Sequence, residues 1–506
     1  MTSWLLTLPL LTPFATAVVL VLGPRTPRVA NAIGVVGAGL LLAAALALFV
    51  TVLEHGTQAA QMGAWPAPFG ITLVADTLSA IMVLVAGVMG LAVAVYATAE
   101  IDEDRLRFGF FALFHVLLGG VMGAFLTGDL FNLYVWFEVL LIAAFGLLVL
   151  GGEPAQVDGA VKYVALNLVS TILLLLGIAL LYGMAGTLNL ADLHLRLQGH
   201  PDPTAISAVA TVLLVALGIK AAAFPLFFWL PASYHTPPVA VTAIFSALLT
   251  KVGVYALIRL FTLVFTGDVG FTHGIILVSG VLTMVVGVLG AAAQNEVRRI
   301  LAVHIVSQIG YMLAGLALLT PVALAGAVFY LVHNIVVKAL LFLLAGIMRF
   351  AGGSFELARL GGLWRRHPWL ALLFLIAAFS LAGFPPLSGF WGKLALIRAG
   401  LEAEVLLVVV AALATSILTI FSMTKIWSEA FWKDAPPGAG QAIAPAGSRL
   451  ALILPVLALV ALALAMGLGA GPFLALTERA AGELLDPSAY VAAVLGPERL
   501  AEGSRP

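Results

Sequence analysis

Apolar runs of about 18–25 residues follow one another along nearly the whole chain, broken only by short segments of Gly, Pro or charged residues. A run of that length crosses the hydrocarbon core of a bilayer as a single α-helix. The pattern predicts an all-α polytopic membrane protein of about fourteen transmembrane helices, over residues 3–22, 30–53, 75–96, 108–127, 129–150, 158–184, 205–235, 238–263, 270–292, 297–318, 321–349, 367–396, 403–426 and 449–482. Two of these, 205–235 and 367–396, are long and contain prolines. The first run lacks both a basic leader and a small-residue cleavage site, so it reads as the first helix and not as a signal peptide.

The basic residues of the loops give this layout a direction, because positive loops stay on the cytoplasmic side. One set of alternate loops holds Arg25, Arg28, Arg105, Arg107, Lys162, Arg298, Arg299, Arg349, Arg359, Arg365, Arg366, Lys433 and Arg449, with Lys425 at its edge. The opposite set holds little beyond Arg196 and Arg398. Both termini are therefore expected on the outer side. The longest irregular loop, 433–449, is rich in Pro, Gly and Ala and reads as a cytoplasmic linker, and from about Asp486 the chain is too polar to span.

Composition narrows the function. Of the 506 residues 62% are hydrophobic and 9% charged, with 24 Lys+Arg against 24 Asp+Glu, so no basic excess points to nucleic acid. The chain has no cysteine, which excludes disulfides, thiolate metal ligands and iron–sulfur clusters. No cofactor is expected, and any redox group would sit in another subunit.

The exceptions to the apolar pattern carry the chemistry. An ionisable side chain at mid-bilayer costs about 2.5 kcal/mol or more, so it tends to face a cavity and to work there. Four of the seven lysines, Lys220, Lys251, Lys338 and Lys393, lie inside predicted spans, and Glu138 is the acid well inside one. Desolvation pulls a lysine towards neutrality and a nearby carboxylate pushes it back, so a movable Glu–Lys contact can load and release a proton. Arginine cannot do this, since it stays charged. Snorkelling to the surface accounts for a lysine near a span end but not for four. On the tenth span His304, Ser307, Gln308 and Tyr311 share one helical face, and on the sixth Tyr163, Asn167, Ser170 and Thr171 repeat the pattern. Interhelical hydrogen bonding and a water-lined path both fit such stripes. Asn334 shares the face of Lys338, whereas His333 points elsewhere unless the helix is distorted. His333 fits core hydrogen bonding or proton transfer, and His235, near the cytoplasmic end, is a candidate for proton uptake.

The seventh span reads GIKAAAFPLFFWLPASYHTPP and the twelfth SLAGFPPLSGFWGKLAL. Pro225, Pro231, Pro385 and Pro386, with Gly383, Gly389 and Gly392, should break both helices and free backbone groups there. The breaks fall five spans apart, and paired interruptions of this kind point to inverted repeats. The expected organisation is helices 1–3 in residues 1–107, a first five-helix repeat in 108–263, a second, inverted one in 270–426, and a linker, last helix and polar tail in 427–506.

The stretch FPLFFWLPASYHTPPVAVTAIFSALLTKVGVYALIRLFTLVF, with YGMAGTLNLADL before it and RRILAVHIVSQIGYM, VHNIVVKALLFLLAG and AGFPPLSGFWGK after it, resembles the antiporter-like superfamily. That superfamily holds the proton-pumping membrane subunits of respiratory NADH:quinone oxidoreductase and the large subunits of the Mrp-type Na⁺/H⁺ antiporter. WLPASYHTPP followed by LLTKVGVYALIR is similar to the D-type subunits of the Mrp antiporter, whereas respiratory subunits usually carry an acid after WLP. The resemblance implies fourteen helices with two inverted five-helix repeats, and a proton relay on Glu138, Lys220, Lys251, Lys338 and Lys393. It further implies a multi-pass protein of the bacterial cell membrane, other membrane subunits as partners, and H⁺ and Na⁺ as transported ions. The alternative it leaves is a proton-pumping subunit of NADH:quinone oxidoreductase or of a membrane-bound hydrogenase.

Overall fold

The computed structural model describes residues 3–23, 26–437 and 442–498. Among these, twelve helices are long and apolar enough to cross a membrane, and two shorter apolar ones complete the set. We number the crossing helices α1 (Ser3–Leu22), α2 (Pro27–His55), α3 (Thr77–Glu100), α4 (Phe110–Leu126), α5 (Leu130–Val149), α6 (Pro154–Ala185) and α7 (Pro203–Ala221). Then follow α8 (Val239–Leu263), α9 (Val269–Ala292), α10 (Val297–Leu318), α11 (Pro321–Gly352), α12 (Pro368–Ala382), α13 (Leu406–Trp427) and α14 (Arg449–Leu468). The predicted spans and these helices coincide to within a few residues, save at the two broken spans and at the last.

Proline and acidic or hydroxyl residues set most starts. Pro27, Pro154, Pro203, Pro321 and Pro368 open their helices, where a missing N–H costs nothing. Asp76, Asp129, Asp202, Asp268, Glu296 and Thr320 accept a backbone N–H of the first turn. The centre of the bundle is α8, α10 and α11, nearly all of whose residues are buried, whereas α1, α2 and α6 leave apolar faces outward.

Two departures from the sequence reading stand out. The predicted span 449–482 is two helices: α14 stops at Leu468, and after Gly469 a separate helix, α15 (Ala470–Leu485), begins. The charges Glu478, Arg479 and Glu483 explain why the apolar crossing ends early. Glu483 instead accepts hydrogen bonds from Thr77 N and Oγ1 at the start of α3, at 2.9 and 2.6 Å. The second departure is a small cap of structure at the same end: an antiparallel hairpin, β1 (Gln58–Gln61) with β2 (Thr72–Ala75), a short helix over Leu190–Leu197, and α16 (Ser488–Leu495) packed against both.

At the opposite end the basic loops gather. Arg105 reaches Leu150 O and Glu153, Arg298 reaches Pro237 O, Lys425 reaches Ala292 O and Gln294 O, and Lys433 reaches Leu357 O. Arg25, counted with this set, lies outside the described residues.

Matching local geometry recurs along the chain. Helix starts at Leu130 and Val297, starts at Pro154 and Pro321, and left-handed glycines at Gly186 and Gly353 all show one spacing of 167 residues. The isolated bridges Asp129 with Asn189 and Glu296 with Glu356 keep the same spacing. Five crossings separate the matching elements, and an odd number reverses direction across the bilayer. The spacing aligns Tyr163 with Tyr330, Asn167 with Asn334, and Thr171 with Lys338.

Candidate functional site

Both proline-bearing spans break in the same way. Helix α7 ends at Ala221 with Ala222 left-handed, and α12 ends at Ala382 with Gly383 left-handed. A cis Phe224–Pro225 bond follows the first and a cis Pro385–Pro386 bond the second. The chain then resumes helix over Trp229–Ser233, which contains Pro231, and over Ser388–Glu402. Gly389 has to be glycine, because a Cβ there would collide with Ser380 O and lie 3.0 Å from the His333 ring.

Each break has a lysine beside it, though only the second offers its own carbonyls to that lysine. Lys220 occupies the last turn of α7, and Lys393 donates to Leu381 O and Ala382 O at 3.2 and 2.9 Å, the freed carbonyl end of α12. A helix C-terminus carries partial negative charge, so both cations sit where the backbone favours them.

In the first half the acid and the lysine meet through a third residue. Thr171 Oγ1 donates to Glu138 Oε1 at 2.6 Å, and Lys220 Nζ donates to Thr171 Oγ1 at 3.2 Å and to Asn167 O at 3.5 Å. Lys220 is buried and lies over the Phe137 ring, whereas Glu138 is half-buried at the side of the bundle. The expected Glu138–Lys220 pair is thus bridged, with no direct contact within 4 Å among the described residues. A cavity of about 20 Å³, room for one water, lies beside Lys220 and is lined by Phe137, Tyr163, Asn167, Trp229 and Leu249.

Leu249 closes a π-helical turn, Phe245–Leu249, that sits in α8 immediately before Thr250 and Lys251. Lys251, fully buried, donates to Ser246 O within that turn at 2.5 Å. A π turn shifts the hydrogen-bond ladder by a residue and leaves a carbonyl available for such use. Lys338 on α11, also fully buried, donates across to Leu301 O on α10 at 3.1 Å.

From Lys338 a polar seam runs through the second half. His304 Nδ1 meets Ser307 Oγ at 3.3 Å, Gln308 Nε2 donates to Ser307 Oγ at 2.8 Å, and Tyr330 donates to Gln308 Oε1. Lys393 Nζ donates to Ser416 Oγ at 3.1 Å and lies over the Tyr311 ring, and Ser416 meets Tyr311 OH at 2.9 Å. Helix α11 stays regular throughout, so His333 does point away from Lys338. Its Nδ1 meets Ser388 Oγ at 2.9 Å, and Ser388 meets Ser380 at 2.7 Å, at the second break. Nε2 of His304 and of His333, and both amide atoms of Asn334, have no protein partner among the described residues. Buried polar atoms need partners, so these groups mark the seam as one suited to water.

His235 stands apart from this line, beyond Trp229–Ser233 at the basic end. It borders a polar pocket of about 710 Å³ with Glu296, Arg298, Arg299, Arg349 and Glu356. Its Nε2 accepts from Arg299 at 3.1 Å and its Nδ1 contacts Pro231 O at 2.9 Å, which selects the neutral Nδ1–H tautomer. Burial, then Arg299, pulls its pKa down to about 4, with smaller contributions from Arg298 and Lys162. It is therefore neutral at neutral pH.

Three further groups escaped the sequence reading. Asp76 and Arg259 form a buried ion pair of 2.6 Å, with Ser79 and Tyr255 around it. Glu100, at the basic end of α3, accepts from Val239 N and Ala240 N at 2.5 and 2.6 Å and so holds the start of α8. Ser416, a serine in an apolar run, connects Lys393 to Tyr311. The signal for the first was present, an arginine within the 238–263 run and an aspartate heading another.

Known proteins are similar to this chain in sequence and fold. The family described as NADH:quinone oxidoreductase/Mrp antiporter, TM, matches residues 127–419. The chain is 44% identical over 494 residues to the D-type subunit of the Na(+)/H(+) antiporter of Alkalihalophilus pseudofirmus, covering 97% of this chain and 99% of that one. It is 39% identical to the protein of the same name from Bacillus subtilis, covering 96% and 98%. Among solved structures, the Mrp complex from Dietzia sp. DQ12-45-1b contains a chain with TM-score 0.90 and 35% identity, over 98% of this chain and 99% of that one. Respiratory complex I from Thermus thermophilus contains one with TM-score 0.81 and 28% identity, over 95% and 99%. With the family matched over more than half of its length and relatives aligned nearly end to end, the chain belongs to the NADH:quinone oxidoreductase/Mrp antiporter family of membrane subunits.

Proposed function

We propose that this chain is the proton-translocating subunit of a multisubunit Na⁺/H⁺ antiporter in the bacterial cell membrane, with other membrane subunits as its partners. Protons pass along a relay of Glu138, Lys220, Lys251, Lys338 and Lys393, with His304 and His333 lining its second half and His235 at the cytoplasmic rim. The observation that carries this reading is the placement of four buried lysines, each hydrogen-bonded to a backbone carbonyl and, among the described residues, none to a carboxylate. A lysine so placed is desolvated without a charge to hold its proton, which is the condition for release. The second break then supplies the freed carbonyls of Leu381 and Ala382 to Lys393. The antiporter reading is preferred to a redox-driven one because of the alignment with the two Na(+)/H(+) antiporter relatives over nearly the whole chain.

The test is transport by the complete complex in everted membrane vesicles. Replacing Glu138 or Lys220 by Ala is expected to abolish the NaCl-induced collapse of the pH gradient while the complex still assembles. Normal transport in both variants sinks the reading.

A further inference from the structure

Several threonines in the interior of these helices share one habit. Thr16, Thr262, Thr283 and Thr419 each donate their hydroxyl to the carbonyl four residues back, at 2.6–2.8 Å. Thr171 does not. The carbonyl four residues before it, Asn167 O, is approached by Lys220, and the Thr171 hydroxyl turns outward to Glu138. One hydroxyl therefore donates to a carboxylate and accepts from an ammonium at once. The 167-residue spacing places Lys338 at the matching position of α11, so the second half has a lysine where the first has this hydroxyl. Neither Glu138 nor Lys220 makes a hydrogen bond to any other side chain among the described residues.

We infer that Thr171 is a relay group, the hydroxyl through which the proton of Lys220 reaches Glu138. The inference rests on the proposed proton relay and adds an obligatory member to it. In the step, an N–H bond of the Lys220 ammonium breaks and its proton bonds to Thr171 Oγ1. In the same event the original Thr171 proton leaves for Glu138 Oε1. One proton has moved, Thr171 is again a neutral hydroxyl, and the pair has changed from carboxylate and ammonium to carboxylic acid and amine. No oxidant or other reactant is needed. Reset requires Glu138 to give up the proton it received, Lys220 to take up another, and the hydroxyl to rotate about its C–O bond. Two charged groups become two neutral ones, so the desolvation that penalises charge in the bilayer narrows the gap between the two states. The 3.2 Å and 2.6 Å steps each lie within hydrogen-bond reach, as proton transfer demands.

The experiment compares Thr171→Val, Thr171→Ser, Glu138→Ala and Lys220→Ala in the complete complex, reading NaCl-driven proton movement per assembled complex in everted vesicles. Valine keeps the shape and removes the hydroxyl, and serine keeps the hydroxyl. Thr171→Val is expected to lose at least tenfold in rate and Thr171→Ser to stay within about twofold of the unaltered protein. An unaltered rate in Thr171→Val, with Glu138→Ala and Lys220→Ala inactive, overturns the inference and leaves the relay standing. Unaltered rates in all three overturn both. Should the valine variant fail to assemble, Thr171→Ala takes its place, and an unaltered rate there overturns the inference equally. A merely structural threonine would lower the amount of complex in Thr171→Val without changing the rate per complex.

Discussion

Asp76 and Arg259 show what a buried charge does when it is not free to release a proton. Their side chains are 3% and 6% exposed and lie 2.6 Å apart, and Asp76 also accepts from Ser79 N at the start of α3. Arginine stays protonated, so this pair is a clamp between α3 and α8 where the lysines are a relay. Removing one partner leaves the other charge buried and unpaired. Asp76→Asn is expected to destabilise the purified complex by about 3–5 kcal/mol, read as a lowered thermal midpoint, because breaking one side of a buried pair costs that much. Replacing both by apolar residues, Asp76→Leu with Arg259→Met, should recover most of the loss. The lysines were visible in the sequence because each stands alone in an apolar run. The bridge made by Thr171 was not, because a threonine in a helix is usually satisfied by its own backbone, and only the positions of α5 and α7 beside α6 reveal that it is not.

At the scale of the element, the breaks in α7 and in α12 each stand beside a lysine, and the second holds Lys393 on its own freed carbonyls. The clustered prolines and glycines of the two spans marked where they fall, whereas Pro9, Pro13 and Pro455 stand singly inside unbroken helices. The sequence did not tell of the π turn before Lys251, which has no residue signature, nor that the last apolar run divides at Gly469. Gly383 illustrates how tightly a break and its lysine are joined. Its φ of 93° suits glycine alone, and a Cβ there would approach Lys393 Cδ to 2.9 Å. Gly383→Ala is therefore expected to displace Lys393 from Leu381 O and Ala382 O and to lower the transport rate several-fold in assembled complex. Retention of the full rate would show that the position of Lys393 against the break does not matter.

For the whole molecule, length and apolarity made the twelve long apolar helices and the two shorter ones legible, and the alternation of basic loops identified the end at which Arg105, Arg298, Lys425 and Lys433 now reach neighbouring backbone. The hairpin, the short helices and the cap formed with α15 lie outside the apolar runs, so hydropathy could not reveal them. What unites the parts is the claim that a row of buried lysines passes protons between the two halves. Lys338 decides it, because it is fully buried and, among the described residues, bonded only to Leu301 O. Arginine at that position keeps a positive charge but cannot give up its proton. The direct measurement is the NaCl-driven proton flux of Lys338→Arg beside Lys338→Ala, in everted vesicles that hold equal amounts of assembled complex. A relay requires both variants to be inactive, and an unaltered flux in Lys338→Arg would contradict it.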